Sequence, residues 1–329
     1  MIRIEKYGIE KFEQWDEFVE NSVNGTIFHT RRFINYHPDD KFEDHSLMFF
    51  EKDKLLAVFP AAIIEKNGNK VLKSHPGTSY GGLVFKKNLP LDKTFGIINK
   101  LENYAFKNDA KQIEFRNSPK IYYSYPVDQY DFALVRKNYL REDEELSTYY
   151  YLPDLTGRED MDILTDFSSN TRRNIKRAFK NNLIFTEIRS KKEISCFWDL
   201  LKTNLKKHNT EPVHSKEEIN WLVDELKNEV NIYGVYKDTK LAAGLMVLRI
   251  NKLAAHIFYS VIDYDLQETR ALNLCVFSLM KKLATDGFKY LNYGISTEDG
   301  GKYINKGLFK FKEGFNGSGI LRTYWKKNL

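Results

Sequence analysis

A lysine set among aromatic residues is the first chemistry this sequence offers. Near the C-terminus Phe309, Phe311 and Phe315 alternate with Lys310 and Lys312. That is the period of a strand with one face anchored and cations beside it. Just upstream, residues 289–294 read as a buried strand ending in Gly294, and strand ends are where α/β folds hold ligand chemistry. A lysine fixed at the mouth of a sheet stabilises negative charge as it develops on a reacting oxygen. The pattern fits an amphipathic strand with solvated lysines equally well, and both readings stand here. In either, Lys310 and Lys312 are expected to share a face at different depths.

A second constellation is cationic. The run Ser168, Ser169, Asn170, Thr171, Arg172, Arg173, Asn174, Ile175, Lys176, Arg177 predicts a helix over 171–181 started by a Ser/Asn cap. At about 100° per residue, Arg172, Arg173, Lys176, Arg177 and Lys180 fall within roughly 140° of arc. Ile175, Ala178 and Phe179 then face a core. Five like charges on one face repel unless anions answer them. A phosphate-bearing substrate is one answer, best placed near the helix N-terminus at Arg172 and Arg173. A salt-screened, solvated face is the other. No aromatic stacking platform accompanies the cations, so RNA binding by this face alone is the weakest of the three readings.

The histidines are less informative. His208 and His214 flank a loop containing Pro212, after a helix expected at 196–207. Their spacing is not that of a helical metal pair, and no cysteine or carboxylate set completes a zinc site, so no metal is expected. Cys196 and Cys275 both lie in apolar helical patterns and read as core residues, which suits a reducing, cytoplasmic setting. Met1 to Lys6 lack the apolar run of a signal peptide. The longest apolar run, 55–64, is too short to span a bilayer and contains Pro60. Net charge is +6, which suits anionic ligands and does not demand nucleic acid.

These residues need elements to position them, and the elements repeat. An apolar strand, charged turn and apolar strand occur at 47–59 and again at 232–245, the second turn being Lys237, Asp238, Thr239, Lys240. Helical spacing follows at 95–108 and at 272–286, each followed by a short apolar strand, at 111–115 and at 289–293. Two α/β units of similar size suit 329 residues, too long for one ordinary core. The division falls near 141–165: Arg141 to Glu145 reads as a solvated charge run, and 148–155 as the opening strand of the second unit, stopped by Thr156 and Gly157. The glycine-rich loop 75–82 reads as a tight hairpin turn or as the lining of a cleft.

With the two units, the basic segment and the closing Asn305, Lys306, Gly307, Leu308 with Phe311, Lys312, Glu313 in order, the chain resembles the FemABX family and the broader bacterial acyltransferases built from tandem GNAT-like domains. The resemblance spans nearly the whole chain. It implies an α/β fold of two such domains, 1–145 and 146–329, each a twisted mixed sheet flanked by helices, meeting along a cleft, with the tail 318–329 crossing back onto the first. It implies direct attack of an acceptor amine on an activated acyl group without a covalent acyl-enzyme, so that positioning and charge stabilisation carry the chemistry. Phe311 and Lys312 match the family's catalytic Phe-Lys pair. Tyr259, rather than His256, matches a cleft tyrosine that orients substrate or relays the amine proton. The loop of His214 borders the substrate cleft in relatives, and the region of His29 and Arg32 faces the nucleotide end of the acceptor. A merely structural His214 fits as well.

One departure leaves the donor open. GNAT domains that use acyl-CoA hold its pyrophosphate on a Gly-rich turn whose N–H groups face the phosphates. The equivalent turn here runs from Gln267 to Leu272 and has Arg270 where the first glycine belongs. The arginine side chain could contact phosphate itself, but the backbone cradle is weakened. Relatives that use aminoacyl-tRNA need no such cradle, and this chain lacks the long helical arm some of them carry. Two functions follow. One is an acyltransferase moving an acyl or aminoacyl group, from CoA or tRNA and with no permanently bound cofactor, onto an amine of a nucleotide-linked sugar or peptidoglycan precursor. The other is a non-catalytic binder of tRNA or an anionic glycan.

Overall fold

The computed structural model of the chain describes residues 1–37, 41–207 and 209–329. His208 lies outside them. The chain forms two units, Met1–Leu146 with Asp299–Gly301 and Leu321–Leu329, and Ser147–Glu298 with Lys302–Ile320.

Each unit contains a hairpin and a parallel pair. In the first, Leu47–Glu51 and Lys54–Phe59 form an antiparallel hairpin. In the second, Val230–Lys237 and Lys240–Arg249 do the same. Both turns use an αL residue, Lys52 and Asp238, as the tight reversal of a hairpin requires. Each unit then has one parallel pair with a helix in its crossover. Asn69–Ser74 pairs with Gln112–Arg116 across the helix Leu91–Lys107. Ala254–Ile262 pairs with Tyr290–Ile295 across Ala271–Thr285. Parallel neighbours need such crossovers, and the helices bury their apolar stripes on the sheets. In the second helix Leu274, Cys275, Phe277, Leu279, Met280 and Leu283 are buried against Tyr233, Leu245 and Leu291. In the first, Ile97, Ile98, Leu101 and Ala105 join Phe49, Phe59 and Phe115. In the second unit the hairpin and the parallel pair share one mixed sheet, whereas in the first the hairpin belongs to a separate four-stranded antiparallel sheet; helices flank the sheets in both.

Several sequence expectations are corrected. The segment carrying Phe309 to Lys312 is an α-helix, Lys306–Gly314, not a strand. Asn305 caps it, its side chain accepting from Leu308 N–H at 3.0 Å, and the spacing of Leu308, Phe311 and Phe315 is helical. Lys310 and Lys312 therefore lie about 200° apart rather than on one face. The charge run 141–145 belongs to the strand Leu140–Tyr151; Arg141, Glu142 and Glu144 are exposed, but Glu145 is buried beside Arg116 and Arg322 at 3.6 and 3.3 Å. Cys196 is exposed and only Cys275 is buried, since Ile194, Phe197 and Leu201 make the buried stripe of the helix Lys191–Lys206. Phe179 is 41% exposed, meeting Phe277 edge-on at the last turn of its helix rather than entering the core. The loop 75–82 is no hairpin turn: Asn69–Ser74 leads into it, but Val84–Phe85 pairs with Lys54–Phe59 instead. Its Gly81 lies so close to the backbone of Ser74 and His75 that a Cβ would collide.

Candidate active site

The parallel pair of the second unit stops pairing early. Ala254 to His256 register with Tyr290 to Asn292, and beyond that point the strands part. Buried Asn292 directs the break: its Oδ1 accepts from Ser147 Oγ at 2.7 Å and from Gly294 N–H at 2.7 Å, and Gly294 takes φ 81°. A polar side chain with no exposure inside an apolar strand is informative. Gly294 O and Ile295 O are thereby released from the ladder.

Lys312 fills that gap. Its Nζ donates to Gly294 O at 2.9 Å and to Ile295 O at 2.5 Å, and the residue is 5% exposed. Among the described residues it has no ion pair. Burial pushes its amine down to about 7. Helix Lys306–Gly314 reaches this depth because Gly314 lies directly on Thr171 and Ser168 of the basic helix. Phe311 stacks edge-on against buried Phe315 at 5.2 Å and packs on the core. Lys310 is exposed.

Beside the gap stands a ring of aromatic and imidazole groups. A Cβ on Gly294 would sit 3.5 Å from the His256 ring. His256 contacts Phe258, and Phe258 contacts His214 and Tyr259. Buried His214 holds Tyr259 Oη at 3.0 Å through Nδ1. Burial pushes the Tyr259 hydroxyl up to about 12, opposed by hydrogen bonding to the His214 and Val213 backbone. It is a neutral phenol at physiological pH and acts as a hydrogen-bond donor or acceptor, not as an anion.

The basic helix is Ser169–Phe179, capped by Ser168, which accepts from Thr171 N–H. Ile175 and Ala178 are buried. Ser169, Arg172, Arg173, Lys176, Arg177 and Lys180 line one groove of about 380 Å³. Arg173 reaches Asn170 at 2.8 Å. Arg177 meets Glu268 at 2.8 Å, and Arg270 meets the same carboxylate at 3.6 Å. Glu268 was missed in the sequence, where it is one acid in an ordinary turn. Among the described residues no carboxylate pairs with Arg172, Lys176 or Lys180. Arg32 belongs to the first unit, where it pairs with Glu20 at 2.8 Å.

Arg270 takes a left-handed backbone path that glycine adopts most readily. It is the N-cap of Ala271–Thr285 at φ 60°, ψ 31°, a conformation costing a side-chain-bearing residue about 1 kcal/mol or more. Arg270→Gly is expected to raise stability by about 0.5–1 kcal/mol, the strain relief outweighing the added unfolded-state entropy. Urea denaturation measures it, and a loss of stability would mean that the Glu268 contact outweighs the strain.

Among the described residues no helix is long and apolar enough to cross a membrane, and no cluster of three metal-binding side chains occurs.

Residues 165–306, which contain the basic helix, the parting strands and the Arg270 turn, match the family described as an acetyltransferase (GNAT) domain. A structure of FemX covers 99% of this chain and 97% of its own at 10% identity, with a TM-score of 0.74. L-PGS from Bacillus licheniformis covers 98% of this chain and 92% of its own at 11% identity and a TM-score of 0.59. A tandem GNAT protein from the clavulanic acid biosynthesis pathway covers 100% and 98% at 8% identity and a TM-score of 0.57. At such identities the likeness bears on the fold. No curated protein sequence matches the chain.

Proposed function

We propose that the chain is a FemABX-like tandem-GNAT N-acyltransferase, its residues 165–306 matching an acetyltransferase (GNAT) domain, and that it moves an acyl or aminoacyl group onto an amine of a nucleotide-linked or peptidoglycan-type precursor. The observation that carries this reading is Lys312, buried on two carbonyls where the strands part. An acyl carbonyl resting there would have its oxygen beside a positive group as the amine attacks. Such a contact strengthens as charge moves onto oxygen, and so favours the transition state over the bound substrate. Phe311 and the aromatic side chains near Tyr259 would keep water from the acyl group, and Tyr259, held by His214, would orient the amine.

The groove along Arg172, Arg173, Lys176 and Arg177, extended by Arg270, suits the phosphates of such substrates. Replacing Arg173 and Arg177 with Gln should raise the KM for the phosphate-bearing substrate several-fold and flatten its salt dependence, with kcat nearly unchanged. Unaltered KM values and salt slopes would reduce the groove to a solvated surface. His214 belongs with Tyr259 rather than with this groove, and Arg32 would meet a substrate only by exchanging Glu20 for it.

The decisive test is a thermal-shift and turnover screen pairing acetyl-CoA and alanyl-tRNA as donors with UDP-linked amino sugars and muramyl peptides as acceptors. A ligand that favours the native state raises the melting temperature. Acyl transfer to an acceptor amine is the expected result. Tight binding of tRNA or glycan with no transfer in any pairing would leave a non-catalytic binding protein instead.

A further inference from the structure

Lys312 has more to say than its position. A neutral amine has two N–H donors and one lone pair, whereas an ammonium has three donors. Gly294 O and Ile295 O accept two. Among the described residues no third acceptor and no carboxylate meets Nζ. Its surroundings suit the neutral form: both N–H groups are taken, and the lone pair is left for a ligand. A permanent cation buried to this extent would ordinarily be paired.

We propose that Lys312 is the proton acceptor for the attacking amine, so that its positive charge is made during the reaction rather than brought to it. This rests on the acyl-transfer reading above. As the amine nitrogen bonds to the acyl carbon, the C=O electron pair moves onto oxygen and Lys312 Nζ takes the N–H proton. Oxyanion and lysinium thus appear together, each stabilising the other. On collapse the C=O bond re-forms and the bond to the leaving sulfur or ribose oxygen breaks. The leaving group takes the proton back, and Lys312 returns to the neutral amine.

Burial supports this, since it holds the amine at about 7 and is the sole cause of the shift. The titratable groups on neighbouring elements include Lys306, Lys310 and Glu313 on its own helix, His256 and Tyr259 on Ala254–Ile262, Tyr290 and Tyr293 on Tyr290–Ile295, Tyr149, Tyr150 and Tyr151 on Leu140–Tyr151, and the cations of Ser169–Phe179. None of them contributes to the shift of Lys312.

The sign of the pH dependence separates the two roles. Hydroxylamine, a weakly basic amine, serves as probe acceptor with acetyl-CoA and with alanyl-tRNA, so that protonation of the acceptor does not mask the enzyme's limb. A proton acceptor fails once it is already protonated, so kcat/KM should fall about tenfold per pH unit below pH 7. Lys312→Arg, always charged, should lose about 100-fold or more and show no such limb. A rate that falls as pH rises through 7, or an Arg variant near wild-type turnover, overturns the proposal and leaves a preformed cation in an intact acyltransferase. No turnover with either donor overturns acyl transfer and the proposal together. A substrate-free measurement stands beside these: in protein labelled with ¹³Cε-lysine, one signal should titrate near pH 7 and vanish in Lys312→Met. If the signal lost in that variant titrates in the ordinary lysine range, the proposal fails whatever the kinetics.

Discussion

Lys312→Ala is expected to lower turnover by roughly 10²-fold or more, the scale on which one group stabilising an oxyanion acts, while the fold persists. The loss should appear in kcat, because the contact matters only once negative charge reaches the carbonyl oxygen. Lys310→Ala is the matched control. It stands about 200° around the same helix and is exposed where Lys312 is 5% exposed, so its removal should leave turnover near wild type. Steady-state kinetics with the best donor and acceptor pair decide this, with circular dichroism to show that both variants fold. Near-normal turnover for Lys312→Ala together with a large loss for Lys310→Ala would put the chemistry on the outer face of the helix. Indifference to both would remove the lysine from the mechanism.

The outline of the fold was legible because its signals are local. The hairpins at Lys52 and at Asp238 announce themselves by a charged turn between apolar runs, and the crossover helices by apolar spacing over more than ten residues. Short segments misled. Phe309 to Lys312 alternate for four residues, which mimics a strand, and the helical spacing of Leu308, Phe311 and Phe315 appears only over a longer window. The site itself depends on partners far apart in sequence. The acceptors of Lys312 lie 17 and 18 residues away, His214 is 45 residues from Tyr259, and Glu268 is 91 from Arg177. Nothing in the local pattern says that a strand will part at Gly294, nor that a lysine will occupy the gap. The cationic face could be drawn from helical periodicity alone, yet the carboxylate that partly answers it comes from a distant turn.

Lys312→Met is expected to stabilise the second unit, most at acid pH and not at all at strongly alkaline pH. The sign follows from burial. The folded lysine is held at about 7 against 10.5 for the free side chain, so between these values the unfolded chain binds a proton that the folded chain does not. Across that window stability rises with pH. Below about 7 both states carry the proton and the full cost of burying the cation is felt; above 10.5 neither does. The gap between the two values corresponds to a ceiling of about 5 kcal/mol. Relaxation around the site and loss of two hydrogen bonds reduce the expected gain to about 2–3 kcal/mol at pH 6. At pH 9.5 it should fall below about 1 kcal/mol, because most of the window has been crossed. Urea denaturation of wild type and variant at both pH values measures the difference. A gain of equal size at the two values would attribute the effect to apolar packing alone, and a destabilised variant at pH 6 would mean that the two carbonyls, left without a donor, cost more than the buried charge. A residue retained at such a cost to the fold is one whose position serves the chemistry, and the stabilised Met variant should accordingly be inactive.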